Sequence, residues 1–153
     1  MPKKLSPPEA LAKARAYCAR QERAQQEVRN KLFAWGAHGR EVEATIARLI
    51  SEGFLNEARF SEHFAVSKFR QKGWGRRKIE QALKLKRVSE PCIRLGLKAI
   101  DQDEYTKGLH NAVAKRWERV KENDLYLKRQ KVLRYFLGRG YAVEQIEKAL
   151  ENL

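Results

Sequence analysis

The chain has 153 residues, 34% of them charged and 42% hydrophobic, which fits one average domain or a short array of small repeats and excludes a large multi-lobed enzyme. Its 33 Lys and Arg against 19 Asp and Glu give a formal net charge of +14 at pH 7, which points to a polyanionic partner. No apolar run approaches the roughly 18 residues of a spanning helix, and the opening Met1-Pro-Lys-Lys-Leu-Ser-Pro-Pro lacks a hydrophobic signal core; no membrane association is expected, and the chain is placed in the cytoplasm.

In chain order, almost every segment has a helical period and almost none alternates like a strand. Ser6-Pro7-Pro8-Glu9 predicts a helix start, with the serine accepting from a backbone amide, Pro7 having no donor to lose and Glu9 reaching back. That helix is expected to end near Gln21. A second runs from about Gln25 to Trp35 and stops at Gly36; Ala37-His38-Gly39 reads as turn, and a third helix from Arg40 stops at Gly53. Asn56 offers an N-cap for a fourth helix, which carries Phe60 and Phe64 on one face and breaks at Gly73-Trp74-Gly75. A fifth covers about Arg76 to Lys86, and Ser89-Glu90-Pro91 opens a sixth. Asp101-Gln102-Asp103-Glu104 caps a long seventh through Val120, an eighth spans about Leu125 to Leu137 before Gly138 and Gly140, and a ninth runs from Val143 onward. The expected fold is all-α, with nine helices in three sets of three.

The sets share a register. Val28, Ile79 and Val132 correspond, as do Leu32, Leu83 and Phe136; further on, Val42 matches Ile93 and Ile146, and Ile46 matches Leu97 and Leu150. The spacing is 51 and then 53 residues. A three-helix unit of that size is near the lower limit for an independent core, so an elongated array of three tandem three-helix repeats is expected, divided at 1–54, 55–101 and 102–153.

The charge is concentrated. Residues 68–87 carry 9 basic side chains and 1 acidic one, and residues 115–134 carry 8 and 3; a surface made only for solubility would mix both signs. The candidates for contact with a polyanion are Lys68, Arg70, Lys72, Arg76, Arg77, Lys78, Lys84, Lys86 and Arg87, with Arg116, Arg119, Lys128, Arg129, Lys131 and Arg134 as a second group. They do not fall on one helical stripe, so some must serve different surfaces. Replacing Arg76, Arg77 and Lys78 with Ala is expected to weaken binding and leave helicity intact. Trp74 reads either as a ring for stacking single-stranded bases or as a tryptophan packed at a helix break, and the packed reading is preferred. Cys18 and Cys92 have no Cys or His nearby and read as small buried hydrophobes. His38, His63 and His110 lie far apart without ligand-spaced partners, and no phosphate loop ending in Lys-Ser/Thr occurs. No catalytic residue, metal or cofactor is expected.

The run Glu52-Gly-Phe-Leu-Asn-Glu-Ala-Arg-Phe60, followed by Phe64, Lys72-Gly-Trp-Gly75, Arg77-Lys-Ile79 and Leu83, resembles the central signature of the RecX regulatory proteins. Glu27-Val-Arg-Asn-Lys-Leu32 resembles that family's first repeat, and Lys131-Val-Leu-Arg-Tyr-Phe-Leu-Gly-Arg-Gly-Tyr141 with Ile146 its last. Val28 stands where Leu is usual, Trp74 where Tyr is usual and Arg76 where Pro is frequent, and the loop at 37–40 is short. The resemblance implies a non-enzymatic bacterial protein acting in recombination, DNA repair and the SOS response. Such a protein lodges against the RecA nucleoprotein filament and restrains its ATPase, strand-exchange and coprotease activities. The expected partners are the RecA filament and, weakly and without sequence preference, single- and double-stranded DNA; the chain is expected to be a monomer. The basic helices joined by tight turns leave open a stand-alone helix-turn-helix regulator of duplex DNA, and a scaffold for protein partners alone.

Overall fold

Helix boundaries follow from caps the sequence carries. In the computed structural model, which describes residues 5–153, the helices are α1 (Pro7–Arg20), α2 (Gln25–Ala34), α3 (Gly39–Ser51), α4 (Glu57–Lys72), α5 (Arg76–Leu85), α6 (Glu90–Lys98), α7 (Gln102–Arg119), α8 (Leu125–Gly138) and α9 (Val143–Glu151), with no strand among the described residues. Ser6 accepts from the Glu9 amide at 3.4 Å, Asn56 from Arg59 at 2.9 Å and Asp101 from Glu104 at 2.9 Å, as the caps predict. Asp124 does the same for α8, accepting from the Leu127 amide at 3.1 Å. Where Ala24 and His38 hold the cap position, the carboxylates of Glu27 and Glu41 reach back to their amides at 3.1 and 3.2 Å. Each such cap is worth about 1 kcal/mol.

The second helix of each repeat ends at an equivalent place. Gly36 and Gly140 hold φ angles of 90° and 99° there, and Arg87 holds φ 58°. All three turns close alike, with the next amide returning to the helix: Ala37 to the Leu32 carbonyl at 3.0 Å, Val88 to Leu83 at 3.1 Å and Tyr141 to Phe136 at 3.1 Å. The middle repeat thus places an arginine where its neighbours use glycine, in a conformation that disfavours an L side chain.

The register expected from the sequence is an inside register. Of the twelve matched positions, all but Leu97 are buried; Leu97 is half-buried at the end of α6. Cys18 is buried, whereas Cys92 is half-exposed, so only the first cysteine acts as a core hydrophobe. Cys92 lies one position before Ile93, which takes the inward place on that short helix.

The chain divides into two compact units: the described residues up to His63 with Leu83–Gly96, and Phe64–Ala82 with Leu97–Leu153. In the first, α1, α2 and α3 pack around Ala14, Cys18, Val28, Leu32, Val42, Ile46 and Leu49. Here α4 and α6 approach so closely that a Cβ at Gly96 would lie 2.2 Å from the buried Ser61 Oγ. In the second, α7, α8 and α9 pack together over Tyr105, Leu109, Val113, Val132, Phe136 and Ile146. Aromatic rings run through this unit, Phe69 to Tyr105 to Tyr141 to Phe136, with centroids 5.3, 5.2 and 6.1 Å apart.

Candidate nucleic-acid interface

The break Gly73-Trp74-Gly75 is held from several sides within the second unit. The Gly75 amide donates to the Arg139 carbonyl at 2.7 Å, the Arg76 amide to the Tyr105 hydroxyl at 3.0 Å and the Arg77 amide to the Gly140 carbonyl at 3.0 Å. The first amides of α5 are thereby satisfied by the C-terminal end of α8 and one phenol, in place of a capping side chain. From the other side, the Tyr141 hydroxyl donates to the Gly73 carbonyl at 3.0 Å and the Arg139 guanidinium donates to the Lys72 carbonyl. Burial pushes the phenols of Tyr105 and Tyr141 above their ordinary value, so both stay protonated donors at neutral pH.

This corner fixes a group of side chains that can meet a nucleic acid. Trp74 is half-buried, with the Lys68 ammonium 5.1 Å and the Lys78 ammonium 4.8 Å from its ring centroid. Lys68 also lies 5.4 Å from the Phe64 ring. Arg77, next to Lys78, is exposed and has no ion pair among the described residues. Two ammonium groups at one indole give a phosphate two cations beside an aromatic face, and each cation-ring contact at a partly exposed site is worth only about 0.5–1 kcal/mol, so a phosphate can draw the lysines away cheaply. The tryptophan is neither a free stacking platform nor a core residue; its half-buried ring gives the lysines their place.

The remaining candidates separate. Arg76 turns inward: its guanidinium donates to the carbonyls of Leu97 at 3.5 Å and Ile100 at 3.2 Å and to Gln102 Oε1 at 2.9 Å, and lies 4.1 Å from the Tyr105 centroid. Arg70 makes a two-pronged pair with Glu104 at 2.8 and 2.9 Å, and that pair holds the Glu104 carboxyl below the usual carboxylate range. Lys72 is exposed at the end of α4. Lys84, Lys86 and Arg87 belong to the first unit, where Lys84 lies 3.9 Å from Glu90, Lys86 lies 3.6 Å from Glu27 and Arg87 is exposed. In the second group, Lys131 pairs with Glu122 at 2.9 Å, Lys128 lies 4.5 Å from the Trp117 centroid, Arg129 is half-buried and Arg134 is exposed. Arg116 and Arg119 share a pocket with Lys115, Tyr135 and Arg139. Lys115 and Arg139 were not among the expected residues, although the spacing Ala112, Lys115, Arg116, Arg119 on α7 was a readable sign of one helix face.

Among the described residues, no group of three or more His, Cys, Asp or Glu is placed to hold a metal ion, and no helix is long and apolar enough to cross a membrane. His38 stands at the start of α3, His63 is exposed and His110 is half-buried.

The described residues thus form three successive sets of three helices, the build of a small all-α helical-repeat protein. Family descriptions match in order: "RecX, first three-helix domain" over residues 10–49, "RecX, second three-helix domain" over 56–97 and "RecX, third three-helix domain" over 103–150. The chain belongs to the RecX family. It is 31% identical over 138 residues to the regulatory protein RecX of Vibrio vulnificus (strain CMCP6), covering 88% of this chain and 86% of that protein. With the regulatory protein RecX of Escherichia coli (strain K12 / DH10B) it shares 30% identity over 152 residues, covering 93% and 90%. The crystal structure of RecX from Lactobacillus salivarius superposes with a TM-score of 0.88 at 18% identity, covering 96% of both chains, and shares the fold.

Proposed function

We propose that this chain binds the RecA nucleoprotein filament as a monomer and restrains it, lowering its ATPase, strand-exchange and coprotease activities in recombination and DNA repair, with weak DNA binding of its own and no catalysis. The reading rests on membership of a family of regulatory proteins, found along most of the chain, and on one local observation: Lys68 and Lys78 flank Trp74 on a corner pinned by α8 and Tyr105, with exposed Arg77 beside them. Such a surface offers several cations to a phosphate backbone and reads no base edges, which suits affinity without sequence preference. A protein that holds DNA and a filament protomer together gains avidity from two weak contacts. The action is taken to be cytoplasmic, with working domain limits of 1–54, 55–101 and 102–153.

The test compares wild type with a Lys68→Ala, Arg77→Ala, Lys78→Ala variant in co-sedimentation with preassembled RecA filaments on single-stranded DNA, across a salt series. Arg76 is left in place because its guanidinium holds three acceptors of the fold, so the Ala substitution at that position would confound binding with stability. The variant is expected to bind filaments less tightly and to lower the log-log salt slope by about 2, from roughly 0.7 per lost phosphate contact on single strands. Equal binding and equal salt slope would overturn this placement of the interface.

A further inference from the structure

The pocket between α7 and the end of α8 contains Lys115, Arg116, Arg119 and Arg139, together with Tyr135 and the backbone at Gly73. Among the described residues, no carboxylate lines it and none of its four cations has an ion pair. Like charges gathered around one hollow repel each other, and a fold keeps them together at a cost that a bound anion removes. Arg116 adds a second sign. Its guanidinium carbon stands over Tyr135, 3.8 Å from the ring centroid, and its Nε–H is buried without a hydrogen-bond partner among the described residues. An unpaired charged donor is costly to bury, and this one belongs to a residue that lines the hollow. Arg139 is anchored by its bond to the Lys72 carbonyl and stands 5.9 Å from the same ring, so two guanidinium groups of the pocket share one aromatic neighbour.

We infer that this pocket is a binding site for a single phosphate group. The guanidinium fork matches the oxygens of phosphate, and two forks with two further cations can surround a tetrahedral anion. Size sets the limit on the ligand. The hollow has a volume of about 190 Å³, against the roughly 300–1,000 Å³ of pockets that enclose drug-sized ligands; a phosphate fits with some of its water, and a whole nucleotide does not. The occupant is therefore a phosphate presented on something larger, or a free anion. Phosphate binding stands on the pocket alone, whereas its assignment to a nucleic-acid strand rests on the function proposed above.

The test uses inorganic phosphate on the full chain at constant ionic strength, with chloride as the balancing anion, followed through the arginine Nε–H signals in 15N-1H NMR. Saturable shifts of the Arg116 and Arg139 signals are expected in wild type. Arg119→Ala, which removes an exposed side chain, should weaken phosphate by at least about tenfold, the loss of one charge-assisted contact, while Lys98→Ala outside the pocket should change nothing. No saturable shift, or the same titration in Arg119→Ala, would overturn the site. A short oligothymidylate with a 5′-hydroxyl and one with a 5′-phosphate then compete with the bound anion. Displacement by both supports a backbone phosphodiester as the source, and displacement by the phosphorylated strand alone supports a strand end. If phosphate binds and neither strand displaces it, the pocket stands as a free-anion site and its link to nucleic acid fails. Loss of filament binding in wild type, by contrast, would remove the proposed function and leave phosphate binding intact.

Discussion

Two glycines, Gly75 and Gly138, should respond to the same substitution with opposite signs. A Cβ built at Gly75 would lie 2.4 Å from the Gly140 carbonyl carbon, 2.5 Å from its oxygen and 2.6 Å from the Tyr141 nitrogen, all backbone atoms that cannot swing aside. Ordinary contact begins at 3.4 Å, so Gly75→Ala requires the turn after α8 to withdraw by roughly 1 Å. That movement would stretch the bonds from Gly75 to Arg139 and from Arg77 to Gly140, now 2.7 and 3.0 Å, past the length at which a hydrogen bond counts as one. Two lost bonds at about 0.5–1.5 kcal/mol each, plus about 1–3 kcal/mol of overpacking, give a destabilisation of about 2–6 kcal/mol. Gly138→Ala is the control. It lies in the last turn of α8 and, its chain neighbours and own helix backbone aside, no heavy atom of the described residues comes within 4 Å of its would-be Cβ, so alanine should stabilise by about 0.4–1 kcal/mol through helix propensity and a less free unfolded chain. Urea unfolding followed by far-UV circular dichroism measures both. A Gly75→Ala variant within about 1 kcal/mol of wild type, or a Gly138→Ala variant as damaged as Gly75→Ala, would refute the close approach of α8 to the start of α5.

Arg87→Gly should raise stability by up to about 1 kcal/mol, since left-handed backbone costs an L residue roughly 1–2 kcal/mol and glycine returns part of that as unfolded-state freedom. The same variant should weaken DNA binding, and a stability gain with unchanged binding would make the arginine an ordinary strained residue. Ser61→Ala should stabilise by about 1 kcal/mol in a thermal melt, because the hydroxyl is buried beside Gly96 without a partner among the described residues; a loss would mean that the hydroxyl is bonded. Glu52 accepts from Arg15 at 2.8 and 2.6 Å and from Arg48 at 2.8 Å, which holds its carboxyl at about 2 against an ordinary 4.5. A depressed folded value means a contribution fully present above 4.5 and lost as pH falls toward 2. Glu52→Gln should therefore flatten the fall of stability in that window, and identical acid-unfolding curves would contradict the pairing.

The nine helices of the described residues were legible because their signals are local. Ser6, Asn56 and Asp101 bond within their own first turns, and the matched apolar positions need only helical period to be found. The site was legible as a charge excess and little more. Sequence spacing could not show that Arg76 would spend its guanidinium on carbonyls more than twenty residues away, or that Arg70 would meet Glu104, because those partners are set by how helices pack. The pocket of Arg116 and Arg139 joins α7 to the far end of α8, and only its α7 half has a periodic trace. Arg87 had a readable sign in the register, standing where Gly36 and Gly140 close the other repeats; counted as one more cation, it conceals that equivalence.

The measurement that bears most directly on the proposed role is the DNA-dependent ATPase rate of preassembled RecA filaments as this protein is titrated in. Hydrolysis should fall at well below one molecule per RecA protomer, with the Lys68→Ala, Arg77→Ala, Lys78→Ala variant needing more protein for the same effect. A rate unchanged up to equimolar protein would contradict filament modulation and turn attention to DNA binding by the chain alone.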